Sequence, residues 1–147
     1  MHITRRSLMA GAALAVLVRP AQASADSMAA AIRAFTGGVL PTPGRVAFDI
    51  APLVDNGNTV PVTVSVASPM TPTDHVNAIA IFNERNPETE VVQFTLTPRC
   101  GRAQVATRIR LATSQKVTAV ARMSDGSCWS HTAEVIVTLA ACIEGEG

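Results

Sequence analysis

From residue 45 onward, short apolar stretches alternate with clusters of Pro, Gly, Asn, Asp and Ser, at a spacing too short for helices. The stretches fall at 45–50, 58–67, 76–82, 90–96, 103–111, 116–123 and 129–139. Between them lie Asp55-Asn56-Gly57, Ser68-Pro69, Asn86-Pro87, Pro98, Ser114-Gln115 and Asp125-Gly126, each a turn signal. In 58–67 the pattern has period two, with Val60, Val62, Val64 and Val66 on one face. Pro61 falls on the other face and cannot donate to a ladder, which predicts an edge position or a bulge. Asp125-Gly126 suits a tight hairpin between the last two strands. The connections leave no room for crossover helices, which argues against a parallel α/β sheet. The expectation is an all-β fold: an immunoglobulin-like antiparallel β-sandwich of about seven strands.

One short helix precedes the strands. Met28, Ile32 and Phe35 recur at i, i+4 and i+7, Asp26 or Ser27 can cap the start, and Gly37-Gly38 ends it. Pro41 and Pro43 stiffen the exit.

The first 25 residues read as an address. Arg5-Arg6 precede an apolar run at 8–18, which is shorter than the roughly 20 residues needed to span a bilayer. Two small-x-small cleavage sites follow, ending at Ala23 and at Ala25. Paired arginines, modest hydropathy and Arg19 before the cleavage site suit twin-arginine export and a periplasmic destination. Loss of Arg5, Arg6 and Arg19 leaves nine basic residues against eleven acidic ones. The organisation is therefore a leader over 1–25, a sandwich with its helix over 26–139, and a flexible C-terminal arm over 140–147. No later apolar run is long enough to cross a bilayer, so no membrane association is expected after export.

Composition narrows the function. Aromatics make up 3% of the chain and the net charge is +1, which argues against a stacking platform or a nucleic-acid binder. His2, His75 and His131 are few and scattered, so a histidine metal site is not expected. Asp74-His75 and Ser130-His131 are sequence neighbours, and adjacent side chains on a strand point to opposite faces. No catalytic constellation is expected, no Gly-rich phosphate loop leads from strand to helix, and no cofactor is implied.

The cysteines are the informative residues. Three of them, Cys100, Cys128 and Cys142, leave at least one thiol without an intrachain partner. Cys100 precedes one strand and Cys128 follows the turn after the next, so both belong to one end of the sandwich and a Cys100–Cys128 disulfide is allowed. Two unpaired small residues, or a zinc site with His131 and Cys142, are the alternatives at these positions. Cys142 lies five residues from the C-terminus, and is the candidate free thiol on a tail. An incidental residue or a disulfide-linked homodimer are the alternatives there.

Several stretches in order carry a resemblance. They are Phe35-Thr36-Gly37-Gly38, Asn56-Gly57-Asn58-Thr59-Val60-Pro61-Val62, Ser68-Pro69-Met70-Thr71, Asn83-Glu84-Arg85-Asn86-Pro87, Thr107-Arg108-Ile109-Arg110-Leu111-Ala112 and Met123-Ser124-Asp125-Gly126-Ser127. Together, behind a twin-arginine leader, they resemble the SoxY family, the sulfur-carrier subunits of periplasmic thiosulfate oxidation. The resemblance implies a non-enzymatic carrier that binds no cofactor. Its C-terminal cysteine, here Cys142, would be the covalent attachment point for the sulfur being oxidised. It implies a heterodimer with a SoxZ-type subunit. It also implies transient partners: SoxAX to couple thiosulfate to the cysteine, SoxB to release sulfate, and a sulfane dehydrogenase. The tail departs from the family's Gly-Gly-Cys-Gly-Gly. Here it reads Ala140-Ala141-Cys142-Ile143-Glu144-Gly145-Glu146-Gly147, with a β-branched residue and two carboxylates beside the thiol.

Overall fold

The computed structural model describes residues 24–139. The expected leader, apart from Ser24 and Ala25, and the arm with Cys142 lie outside the described residues. Helix α1 spans Ala25–Thr36. Its cap is Ser24, two residues before the expected Asp26 and three before Ser27. Ser24 Oγ accepts the Ser27 N–H at 3.1 Å, and Ser27 Oγ accepts the Ser24 N–H. This reciprocal pair satisfies two donors that a helix start leaves open. Gly37 ends the helix in the left-handed conformation, φ 68°, as the glycine pair predicted.

Nine strands follow among the described residues. They are β1 (Thr42–Pro43), β2 (Val46–Ile50), β3 (Leu53–Val54), β4 (Val60–Val66), β5 (Val76–Asn83), β6 (Glu90–Thr95), β7 (Gln104–Ile109), β8 (Gln115–Met123) and β9 (Cys128–Val137). One sheet runs β1-β9-β8-β5-β6, with β3 also on β9, and the other runs β2-β4-β7. The seven longer strands are those read from the turn spacing. The pairings β2–β4, β4–β7, β5–β6, β5–β8 and β8–β9 are all antiparallel.

The two-residue strands β1 and β3 were not foreseen. They are parallel to β9, one at Trp129–Ser130 and the other at Ile136–Val137. No crossover helix is needed, because the chain leaves β1 for the other sheet, runs β2, and returns to the same edge as β3. The switch uses Gly44 at φ 128° and Arg45 at φ 57°, backbone shapes that L side chains rarely adopt. Gly44 packs against the Trp129 ring, where an added Cβ would already lie 3.6 Å from the indole. Arg45 lies over that ring at 5.4 Å and donates to the Ala67 carbonyl at 2.8 Å.

Pro61 corrects another expectation. It sits in the middle strand of the smaller sheet, not on an edge strand or at a bulge. The bond from the Ala67 N–H to the Arg45 carbonyl shows that odd residues of β4 face β2. The last β2–β4 pair is Ile50 with Val62. Pro61 therefore turns its missing N–H toward a neighbour that has already ended.

The main core lies between the sheets, where Val60, Val64, Ile79, Ile81, Leu111, Val117 and Val135 are fully buried. A second small core lies on the outer face of the larger sheet. There Phe35 of α1 packs on Ala78, Ala80, Phe82 and Val120. Its ring meets Phe82 edge to face at 5.7 Å. Arg122 lies over the same ring at 5.0 Å and donates to the Phe35 carbonyl at 2.8 Å. With both faces covered, β5 is apolar from Ala78 to Phe82 without alternating, and β8 is buried at nearly every position although Thr118 and Arg122 interrupt its apolar residues.

Candidate functional site

The residue of most chemical interest by sequence, Cys142, lies outside the described residues, three positions beyond Leu139. The site that can be built is the place from which it extends: the C-terminal end of β9. That end is held from both sides. On the open edge, the backbone of 52–57 runs alongside it. The Ile136 N–H donates to the Pro52 carbonyl at 2.9 Å, the Thr138 N–H to Val54 at 3.0 Å, and the Leu139 N–H to Asp55 at 3.1 Å. The Gly57 N–H then donates to the Leu139 carbonyl at 3.0 Å, and the Leu111 N–H to the Gly57 carbonyl at 2.8 Å. The Asn56 side chain folds the turn by accepting the Asn58 N–H at 3.0 Å. On the other side β8 ends its pairing at Gln115 with Val135. Ser114 replaces the missing strand, its Oγ accepting the Val137 N–H at 2.8 Å.

The loop that carries Ser114 is itself fixed by amides. Asn86 Nδ2 donates to the Arg110 carbonyl at 2.7 Å. Asn86 Oδ1 accepts the Ala112 N–H at 2.9 Å and Gln115 Nε2 at 2.8 Å. Gln115 Oε1 accepts the Arg85 N–H at 3.0 Å. Buried Asn83 accepts the Asn86 N–H at 2.9 Å and donates to the Glu88 carbonyl at 2.9 Å. Among the described residues no buried side-chain nitrogen or oxygen lacks a partner. Three of the sequence stretches singled out above, 56–62, 83–87 and 107–112, thus meet at one end of the sandwich and lock the strand that leads to Cys142. Sequence reading placed Asn56-Gly57 and Asn86-Pro87 in turns and 58–62 and 107–111 in strands, but missed their joint task. The available signal was Asn83 and Asn86, two amides closing an otherwise apolar run.

The other two cysteines are at the opposite end. Cys100 closes a 3-10 turn over Pro98–Cys100 and is exposed, and Cys128 opens β9 and is buried. Both are free thiols in this structure, the arrangement that the alternative of two unpaired residues describes. The two do share an end, but the sheet order puts β8 and β5 between β9 and β6, the strand that leads to Cys100. Burial pushes the Cys128 thiol pKa up, opposed by nearby Arg122 and reinforced by Asp125.

The histidines hold structure. His131 Nδ1 lies 3.0 Å from the Val46 carbonyl, and its ring meets Phe48 edge to face. It bridges the gap left on β9 between β1 and β3. His75 Nδ1 lies 3.0 Å from the Thr71 carbonyl of its own turn. Among the described residues no group of three or more His, Cys, Asp or Glu could hold a metal ion, and no helix is long and apolar enough to cross a membrane.

Comparison with known proteins bears on this arrangement. The family model described as "Sulfur oxidation protein SoxY" matches residues 32–142, a span that includes the segment 52–57 beside β9, the amide network and Cys142. Among solved structures, the sulfur carrier protein SoxY from Chlorobium limicola f thiosulfatophilum superposes with a TM-score of 0.64 at 29% identity. The match covers 79% of this chain and 100% of that one. Superoxide reductases share the fold alone. That of Ignicoccus hospitalis (neelaredoxin) gives 0.57 at 15% identity over 79% of this chain and 94% of its own. That of Nanoarchaeum equitans gives 0.56 at 12% identity over 65% and 100%. No curated protein matches the sequence.

Proposed function

Because the chain belongs to the SoxY family of sulfur oxidation proteins, we propose that it carries sulfur covalently on the thiol of Cys142 and presents it to successive enzymes in the periplasm. The family and the likeness to a solved sulfur carrier support a carrier role in sulfur oxidation. The observation that carries the finer reading is the clamped end of β9. A rigid body that grips its last strand from both sides up to Leu139, with a cysteine three residues on, is a tether with a fixed root.

The chemistry such a tether serves can be balanced. The thiolate is the reactive form. The Cys142 thiol and thiosulfate join through a new S–S bond, releasing one proton and two electrons, which a haem enzyme of SoxAX type accepts. Water then cleaves the terminal sulfonate as sulfate, with two protons released, leaving a persulfide on the cysteine. That step belongs to a SoxB-type hydrolase, and the remaining sulfane to a dehydrogenase. Tethering raises the concentration of the intermediate at each enzyme. A SoxZ-type subunit completes the carrier.

The test is peptide mass spectrometry on protein purified from its own periplasm and alkylated without reduction. A sulfane, sulfonate or thiosulfonate adduct on the Cys142 peptide, absent from Cys142→Ser, is the expected result. A plain alkylated Cys142 in cells oxidising thiosulfate would overturn it. That result would favour a second reading, a relative of the carriers with a changed role, which the replacement of flanking glycines by Ala140, Ala141 and Ile143 motivates.

A further inference from the structure

The root of the arm limits where its partners can bind. Leu139 is the last residue held, with its N–H on Asp55 and its carbonyl on Gly57. Cys142 is the third residue after it. A fully extended chain spans at most about 3.6 Å per residue, so the Cys142 Cα reaches no more than about 11 Å from that of Leu139. Reacting groups of enzymes lie inside pockets. An enzyme that brings its reacting group within that distance must lay the mouth of its pocket on the surface around the root.

That surface carries exposed apolar side chains beside the polar turn at 55–57. Among the described residues five large hydrophobic side chains are exposed, and three of them are here: Leu53 at 58%, Ile136 at 56% and Leu139 at 62%. Leu53 and Ile136 are register partners in the β3–β9 pair, and Leu139 lies two residues beyond the end of β9, held by its N–H on the Asp55 carbonyl. Single exposed leucines are ordinary, but a rigid group at the exit of a tether is not explained by chance exposure.

We propose that Leu53, Ile136 and Leu139 form the collar on which the enzyme that loads the arm docks, through an apolar rim around its catalytic pocket. The proposal rests on the carrier reading of Cys142. The reach argument selects this occupant over a permanent subunit, because a subunit seated on the collar would occlude a thiol only three residues away. Central apolar contacts dominate interfaces of this kind, so removing two of them is expected to weaken docking about tenfold or more.

The experiment uses the full carrier with its partner subunit and the SoxAX-type haem enzyme, with thiosulfate as substrate. The carriers are the native chain, Leu53→Thr/Ile136→Thr, and Leu40→Thr as a control at an exposed leucine elsewhere. Threonine suits exposed strand positions, and the single Leu53→Thr is the fallback if the pair misfolds. The expected result is a KM for the carrier raised about tenfold in the double variant and unchanged in Leu40→Thr, with Cys142 alkylation by iodoacetamide equally fast in all three. A KM within twofold of native overturns the collar. So does loss of the partner subunit from the double variant, which would mark the patch as the subunit interface. If the native chain itself is not loaded, the carrier reading falls and the collar with it. Loading of the native chain with an indifferent double variant sinks the collar alone.

Discussion

Asn86→Ala tests whether the amide network holds the end of the sandwich. The substitution deletes three hydrogen bonds, from Asn86 Nδ2 to Arg110 and from the Ala112 N–H and Gln115 Nε2 to Asn86 Oδ1. Gln115 is buried but keeps a second bond to the Thr113 carbonyl at 3.0 Å. The Ala112 N–H and the Arg110 carbonyl keep no such replacement among these contacts. At about 0.5–1.5 kcal/mol net for each bond, the loss is about 3 kcal/mol. For a domain of this size that lowers Tm by roughly 10 °C. Urea unfolding followed by Trp129, the chain's single tryptophan, reads the change as a shift in midpoint at constant slope. Asn86→Asp keeps both acceptor bonds and should lose about half as much. Hydrogen exchange gives the location: the amides of Ala112 and Val137 should lose protection together, because Ser114 sits on the loop that Asn86 fixes. A loss under about 1 kcal/mol would mean that water replaces these bonds, and would refute the claim that the network locks the root.

Phe35→Ala removes the edge-to-face contact with Phe82 and the Arg122 stacking, and should cost about 3–4 kcal/mol, with α1 amides exchanging freely while those of β4 stay protected. Native protein treated with a maleimide should be modified at exposed Cys100 and spared at buried Cys128, which reacts only on unfolding; equal rates at both would contradict the burial. Since the folded Cys128 holds its proton more tightly than the unfolded chain does, stability should fall as pH rises past the ordinary thiol range near about 8.5, and Cys128→Ala should flatten that part of the curve. Ser114→Ala leaves the Val137 N–H without its partner and should cost about 1 kcal/mol, with faster exchange at that amide.

The seven longer strands were legible because turn residues bound each of them and because Val60, Val62, Val64 and Val66 alternate cleanly. β5 does not alternate, since α1 covers its outer face, but its apolar run still stands between turn signals. β1 and β3 were not legible, because two residues carry no periodicity and their pairing with β9 is set by strands far away in sequence. Pro61 was misplaced for the same reason: its tolerance depends on where β2 stops. The pairing of Cys100 and Cys128 was left open by the sequence. Chain order puts Cys100 and Cys128 at one end, and only the sequence β9-β8-β5-β6 across the sheet shows the gap between them. The motif at 83–87 could be seen as a resemblance but not as a lock, because its partners at 110–115 are brought to it by the fold.

If the first 25 residues are a leader, as their sequence leads one to expect, the cap of α1 bears on where it is trimmed. Two peptide bonds are then candidates, one after Ala23 and one after Ala25. A chain beginning at Ser24 would keep the Oγ that accepts the Ser27 N–H. A chain beginning at Asp26 would lose it, and would start with a bare ammonium inside the first helical turn, at the positive end of the helix dipole. The bond after Ala25 also lies within the helix, where a peptidase acting on an already folded domain finds no extended strand to grip. The helix boundary thus separates two trimming points that look alike in sequence, and the intact mass of the mature chain would read which one is used.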